Sequence, residues 1–206
     1  MGGFMLISAF STFLDTAFAG FDRAILSFFH SLYELAGGLL TPFFKAVTML
    51  GDKAVAMILL GGALLLFKKT RKAGFAVLLS LIIGGLAVNL MLKPLVDRTR
   101  PYQAVEDFRI WWEAVGGLVV GDRSFPSGHT NIVACGMTAF ALSMGKRWIL
   151  PSAVVVLLVG ASRLYLMVHY PTDILGGLIC GALAGTLAWW IIGRVYKAID
   201  KKKSRA

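Results

Sequence analysis

Three short stretches hold the residues whose types and spacing could do chemistry. Lys93 and Arg100-Pro101 are separated by six residues, Pro126-Ser127-Gly128-His129 are contiguous, and Ser162-Arg163 lead to His169 and Asp173. Three cations, two histidines and one carboxylate, once gathered, need a common anion, and phosphate fits that set. Arg100 and Arg163 present planar forks to two oxygens, while Lys93 supplies a point charge. Ser127 and Gly128 lie just before an apolar run that reads as a helix. Their backbone N–H groups, with the helix dipole, favour a negative oxygen there. Asp173 falls in the first turn of a helix opened by Pro171, within reach of His169. A carboxylate bonded to one ring nitrogen fixes the tautomer and leaves the other nitrogen free to attack. His129 has no acid nearby in the sequence and is left to act as general acid.

Each stretch alone has a plainer reading. Ser-Gly-His in a loop is usually a turn, an arginine at the end of a membrane helix is usually an anchor, and Asp173 could be an ordinary helix N-terminal acid. What outweighs these readings is that the elements place all three stretches together. Apolar residues make up 57% of the 206 and charged residues only 16%, and the apolar ones come in long blocks without amphipathic rhythm. Blocks of that kind are transmembrane helices. The expectation is an all-α polytopic membrane bundle forming a single domain over 1–206. Five spans are expected, over 47–67, 73–92, 130–144, 149–166 and 173–196. Residues 4–18 are a candidate sixth, interrupted by Asp15, and 21–40 read as an amphipathic helix at the interface. Cys135 and Cys180 read as buried free thiols. Ala17-Phe18-Ala19 has the flavour of a cleavage site, but no basic segment precedes it and no signal peptide is expected.

The net charge of +10 does not point to nucleic acid, because of where the charge sits. Twelve of the 21 basic residues form clusters at 68–72, 146–147 and 194–205, with Asp200 as the one acid among them. These clusters fall in alternate connections, as the positive-inside rule asks of cytoplasmic segments. The C-terminal tail is then cytoplasmic, and 93–129 and 167–173 share the opposite face. Every unusual polar residue is thereby collected on one side of the membrane, where intramembrane charge tends to mark function.

Written as K-x6-R-P, P-S-G-H and S-R-x5-H-x3-D, the three stretches resemble the signature of the type 2 phosphatidic acid phosphatase family, which shares its site with vanadium haloperoxidases. The signature region, 93–173, matches without a substitution. The resemblance implies that His169 forms a phosphohistidine oriented by Asp173. It implies that His129 protonates the leaving group and later activates water. Lys93, Arg100, Ser127, Gly128 and Arg163 would then hold the phosphate. It implies no metal and no cofactor. The partner it implies is a lipid phosphate in the bilayer: undecaprenyl diphosphate, with a slight preference, phosphatidylglycerol phosphate or phosphatidic acid. A membrane protein that only binds or moves such lipids would keep the cations but not need His129, His169 and Asp173 together. A vanadate-dependent peroxidase is disfavoured by the membrane spans. Asp97, Arg98 and Arg109 lie outside the signature and read as loop or entrance residues. His30 reads as a bystander at the headgroups, and Trp111 and Trp112 as an interfacial aromatic pair. Oligomeric state is not legible.

Overall fold

The structure, a computed structural model, describes residues 2–121 and 123–204. Arg205 of the expected tail cluster lies outside them. The elements run α1 (Gly2–Ala17), α2 (Ala19–Leu35), α3 (Thr41–Thr48), α4 (Val55–Leu66), α5 (Arg71–Gly85), α6 (Lys93–Val96), α7 (Pro101–Ala104), α8 (Glu106–Ala114), α9 (Gly128–Met144), α10 (Ile149–Tyr165) and α11 (Pro171–Lys203). A π-helical segment, Leu86–Leu92, joins α5 to α6 without a break, and Asp97 in the left-handed region ends the run.

Among the described residues four stretches are long and apolar enough to cross a membrane: Thr41–Leu66, Arg71–Ala104, Lys146–Tyr165 and Pro171–Lys203. Two of the expected segments fall just below that length. The expected span at 130–144 is α9, whose 17 residues rise only about 25 Å. It is the central post of the bundle, packed by α4, α5, α10 and α11 and buried along most of its length. The candidate at 4–18 is α1, with 16 residues, and it falls below that length. The amphipathic helix appears as α2, which buries Leu26 and Asp22 and leaves Phe21 and Phe28 exposed.

Bilayer lipid is as apolar as leucine, so close packing rather than apolar burial must bring these helices together. On α11, Gly177, Gly181 and Gly185 form a stripe one turn apart, and the backbone of α9 lies directly on it. A Cβ on them would stand 2.7 Å from the Ser127 carbonyl, 2.6 Å from that of Asn131 and 2.7 Å from that of Cys135. Asn131 also donates to the Gly84 carbonyl at 3.2 Å, tying α9 to α5. The opposite face is apolar and outward, with Leu157, Ile179 and Leu183 exposed as lipid-facing residues are.

The span that begins with α3 is broken at Asp52, Lys53 and Ala54, where Lys53 and Ala54 have positive φ. The break places Gly51 against the His129 ring and leaves Thr48 buried beside α10. The elements also keep the expected alternation. The C-terminus of α10 and the N-termini of α9 and α11 lie at the end that carries Lys93, and the basic clusters lie at the other. Substituting Gly181→Ala should force α9 and α11 apart and lower stability by about 1–3 kcal/mol, read as a drop in the unfolding midpoint in detergent. An unchanged midpoint would mean that the stripe is not a packing constraint.

Candidate active site

Pro171 opens α11 with its missing N–H at a position that has no intrahelical acceptor anyway, and Tyr170 stays extended at φ −77°, ψ 153°. That corner aims Asp173 back at the residues before it. Its Oδ2 accepts from the Tyr170 N–H at 2.9 Å and from the Ser124 hydroxyl at 2.5 Å, and lies 3.3 Å from Nδ1 of His169. Both partners of this His–Asp pair are buried, at 1% and 0% exposure. On the other side of the ring, Nε2 lies 3.2 Å from Nη1 of Arg100. The two contacts select one tautomer: Nδ1 carries the proton for Asp173, and Nε2 presents its lone pair to the cations.

Burial pushes the His169 imidazole well below its ordinary pKa, and the charges of Arg100, Arg163 and Lys93 push the same way. The ring is held neutral, the form a nucleophile needs. Lys93, from the first turn of α6, places Nζ beside Gly128, where a Cβ would lie 3.5 Å away. Arg163, in the last turn of α10, is 1% exposed, donates to Thr48 at 2.7 Å and leaves its buried Nε without a partner. Among the described residues neither Lys93 nor Arg163 forms an ion pair. A buried donor such as the Arg163 Nε is costly unless an anion completes it. Among the described residues no His, Cys, Asp and Glu cluster has the makings of a metal site.

All eight residues singled out by the sequence lie at this end of the bundle, but two are employed differently from the expectation. The Ser127 N–H donates to the Asp173 carbonyl at 3.0 Å, and the Ser127 hydroxyl caps α9 by accepting from Thr130. The N–H groups left for an anion are those of Gly128 and His129, in the first turn of α9. Arg100 does not offer its whole fork outward. It donates to the carbonyls of Gly121, Arg123 and Val168, so that it ties those loop residues down while Nη1 faces His169. The His129 ring, packed on Gly51, makes no hydrogen bond among the described residues.

Arg98 is the clearest correction. It was expected in a loop or at the entrance, yet it is 1% exposed and sits directly behind the site. Its donors reach Asp173 Oδ1 at 2.8 Å, Asp22 at 2.9 Å and Asp15 at 2.7 Å. Ser124, likewise buried, was not singled out at all. The signal for Arg98 was present in Asp15 and Asp22, two carboxylates in apolar surroundings that require a cation. Asp97 and Arg109 are exposed residues as expected, the first paired with Arg123 and the second with Glu106 and Glu113. Trp111 and Trp112 are not a free aromatic pair: Trp111 stacks on His30 at 4.4 Å and Trp112 on Tyr102 at 4.5 Å. His30 also pairs with Glu34. Of the two thiols, Cys135 is buried and Cys180 half-buried, both free.

A helical membrane scaffold that gathers a neutral histidine, its carboxylate and a cluster of cations at one end defines a multi-pass membrane phosphatase. The pattern of the PAP2 superfamily matches residues 73–197, and the chain belongs to that superfamily. It is 30% identical to the phosphatidylglycerophosphatase B of Bacillus subtilis, over 86% of this chain and 89% of that one. It is 32% identical to an undecaprenyl-diphosphatase of Sulfolobus acidocaldarius over 58% of this chain, a match that covers 55% of the relative's length. Among solved structures, the transmembrane PAP2-type phosphatidylglycerolphosphate phosphatase of Bacillus subtilis superposes with a TM-score of 0.66 at 26% identity, covering 97% of this chain and 92% of that one. With histidine nitrogens labelled, His169 should remain the neutral Nδ1–H tautomer at pH values where a free imidazole is already charged, because burial and the neighbouring cations hold its pKa well below the ordinary value. A ring that titrates near the free value would contradict the site's electrostatics.

Proposed function

We propose that the chain hydrolyses the terminal phosphate of a lipid phosphate or diphosphate through a phosphohistidine at His169. One observation carries this reading. A buried neutral imidazole, oriented by Asp173, faces Arg100 in a site where, among the described residues, Lys93 and Arg163 form no ion pair. In the first displacement Nε2 attacks phosphorus, and the bond to the lipid oxygen breaks. His129 gives that oxygen a proton, and the arriving dianion favours the charged ring it needs. In the second displacement neutral His129 takes a proton from water, whose oxygen displaces Nε2. Inorganic phosphate leaves, and His169 returns unmodified. Lys93, Arg100, Arg163 and the N–H groups of Gly128 and His129 surround the oxygens as charge builds in each transition state. Ser127 sets the loop by capping α9. Asp173 stabilises the imidazolium-like charge on His169 without itself moving a proton.

The substrate reading rests on relatives and is analogy at the level of the family. The sequence leaned to undecaprenyl diphosphate. The two matches that span nearly all of both chains carry phosphatidylglycerol phosphate in their names, so that lipid is placed first and undecaprenyl diphosphate second. The basic clusters at the far end support an extracytoplasmic site and a cytoplasmic tail.

His169→Ala should still insert and purify as a folded protein but release phosphate at least about a thousandfold more slowly than the wild type. Side-by-side release from phosphatidylglycerol phosphate, undecaprenyl diphosphate and phosphatidic acid should rank the first highest. Near-normal turnover by the alanine variant would contradict the mechanism, and a different ranking would reassign the substrate.

A further inference from the structure

Arg98 is a buried cation that the chemistry above does not use. It stands at the end of the α6 turn, where Asp97 in the left-handed region reverses the chain and turns the following side chain inward. Its guanidinium lies over the Tyr170 ring, 3.9 Å from its centroid. Nη1 donates to Asp173 Oδ1 at 2.8 Å and to the Thr172 hydroxyl at 2.7 Å. Nη2 donates to Asp22 at 2.9 Å, and Nε to Asp15 at 2.7 Å. Asp22 closes the arrangement by accepting from the N–H and hydroxyl of Thr172, the residue before Asp173.

A buried ion pair is by itself weak grounds for a functional role, since desolvation offsets much of the attraction. The division of labour on one carboxylate is what separates this case. Arg98 occupies Oδ1, so Oδ2 alone is left for His169, Ser124 and the Tyr170 N–H. A carboxylate held at both oxygens cannot rotate about its bond to Cβ, and the nitrogen it binds cannot choose another acceptor. The planar fork, stacked on Tyr170 and tied to two further carboxylates, is fixed in its turn. Asp15 and Asp22 come from α1 and α2, so the pair of N-terminal helices is joined to the reacting histidine through one side chain.

We propose that Arg98 is a positioning residue for the reaction. With Asp15 and Asp22 it fixes the orientation of Asp173, and so the line along which His169 attacks, which makes the α1–α2 pair part of the catalytic support. Arg98 itself touches no substrate. The inference rests on His169 being the nucleophile.

The test uses the full chain purified in detergent, labelled phosphatidylglycerol phosphate or undecaprenyl diphosphate, and rapid quench. It reads the rate at which label appears on His169, per folded molecule, in the wild type, Arg98→Lys and Arg98→Ala. Residues that orient a reacting ligand from one layer out typically matter by about 10–100-fold. The alanine variant should show a loss of that size in the labelling rate and in kcat, with KM within about twofold of the wild type. The lysine variant should fall between, because it keeps one charge but loses the fork. A purely structural Arg98 would instead lower the yield or the unfolding midpoint and leave the labelling rate of the folded fraction unchanged, which would overturn the proposal. If the alanine variant does not fold, Arg98→Lys decides alone: a rate within about twofold of the wild type overturns the proposal, and a loss near tenfold supports it. Wild-type turnover with no label on His169 would remove the phosphohistidine and this inference together. A labelled wild type with unaffected Arg98 variants would remove the inference alone.

Discussion

Every layer of the site is organised around the carboxylate of Asp173. It is fully buried and accepts from Arg98, Ser124 and the Tyr170 N–H while facing His169. No charge can sit in such a place unless its partners are already in position, because an unpaired buried carboxylate would give up its charge. The site is therefore built in layers. Carboxylates of α1, α2 and α11 gather on Arg98 behind, the imidazole stands in the middle, and Lys93, Arg100 and Arg163 lie in front. The ring feels negative charge at Nδ1 and positive charge at Nε2. That polarity suits the neutral nucleophile proposed for it.

The membrane scaffold exists to hold these layers in register. A lipid-facing bundle gains little from hiding apolar surface, so its precision has to come from backbone approach and from polar ties across helices. The glycine stripe of α11 brings the corner at Tyr170-Pro171 down onto the first turn of α9, and the bond from the Ser127 N–H to the Asp173 carbonyl locks the two starts together. The loop before α9 and the Asp173 carboxylate are thus one junction, not two neighbouring motifs. Like charges in the front layer repel, and the Arg163 Nε has no partner among the described residues, a cost that an arriving anion would offset. It is the arrangement expected where binding energy is to be released on a transition state.

Much of this was legible in the sequence, and the residues show why the rest was not. Lys93, Arg100, His129, Arg163, His169 and Asp173 could be found because their types and local spacing repeat a chemical requirement. The spans could be found because apolar runs are a property of composition. Arg98 could not be placed by spacing, since its acidic partners on α1 and α2 lie 83 and 76 residues away in the chain. The use of the Ser127 N–H by a carbonyl of α11, and of most of the Arg100 fork by loop carbonyls, also depends on tertiary approach that no local pattern encodes. That α9 would be the helix the others surround is likewise not visible in its own apolar composition.

In the proposed mechanism phosphate passes through a covalent bond to His169, held on line from behind by Asp173. The stereochemical course at phosphorus tests this most directly. A lipid phosphate made chiral with oxygen isotopes has to be transferred to an acceptor alcohol in place of water, so that the product keeps a readable configuration. Two in-line displacements, one by Nε2 and one by the acceptor, predict net retention. Net inversion would mean a single direct displacement, with His169 as a bystander to the bond that breaks.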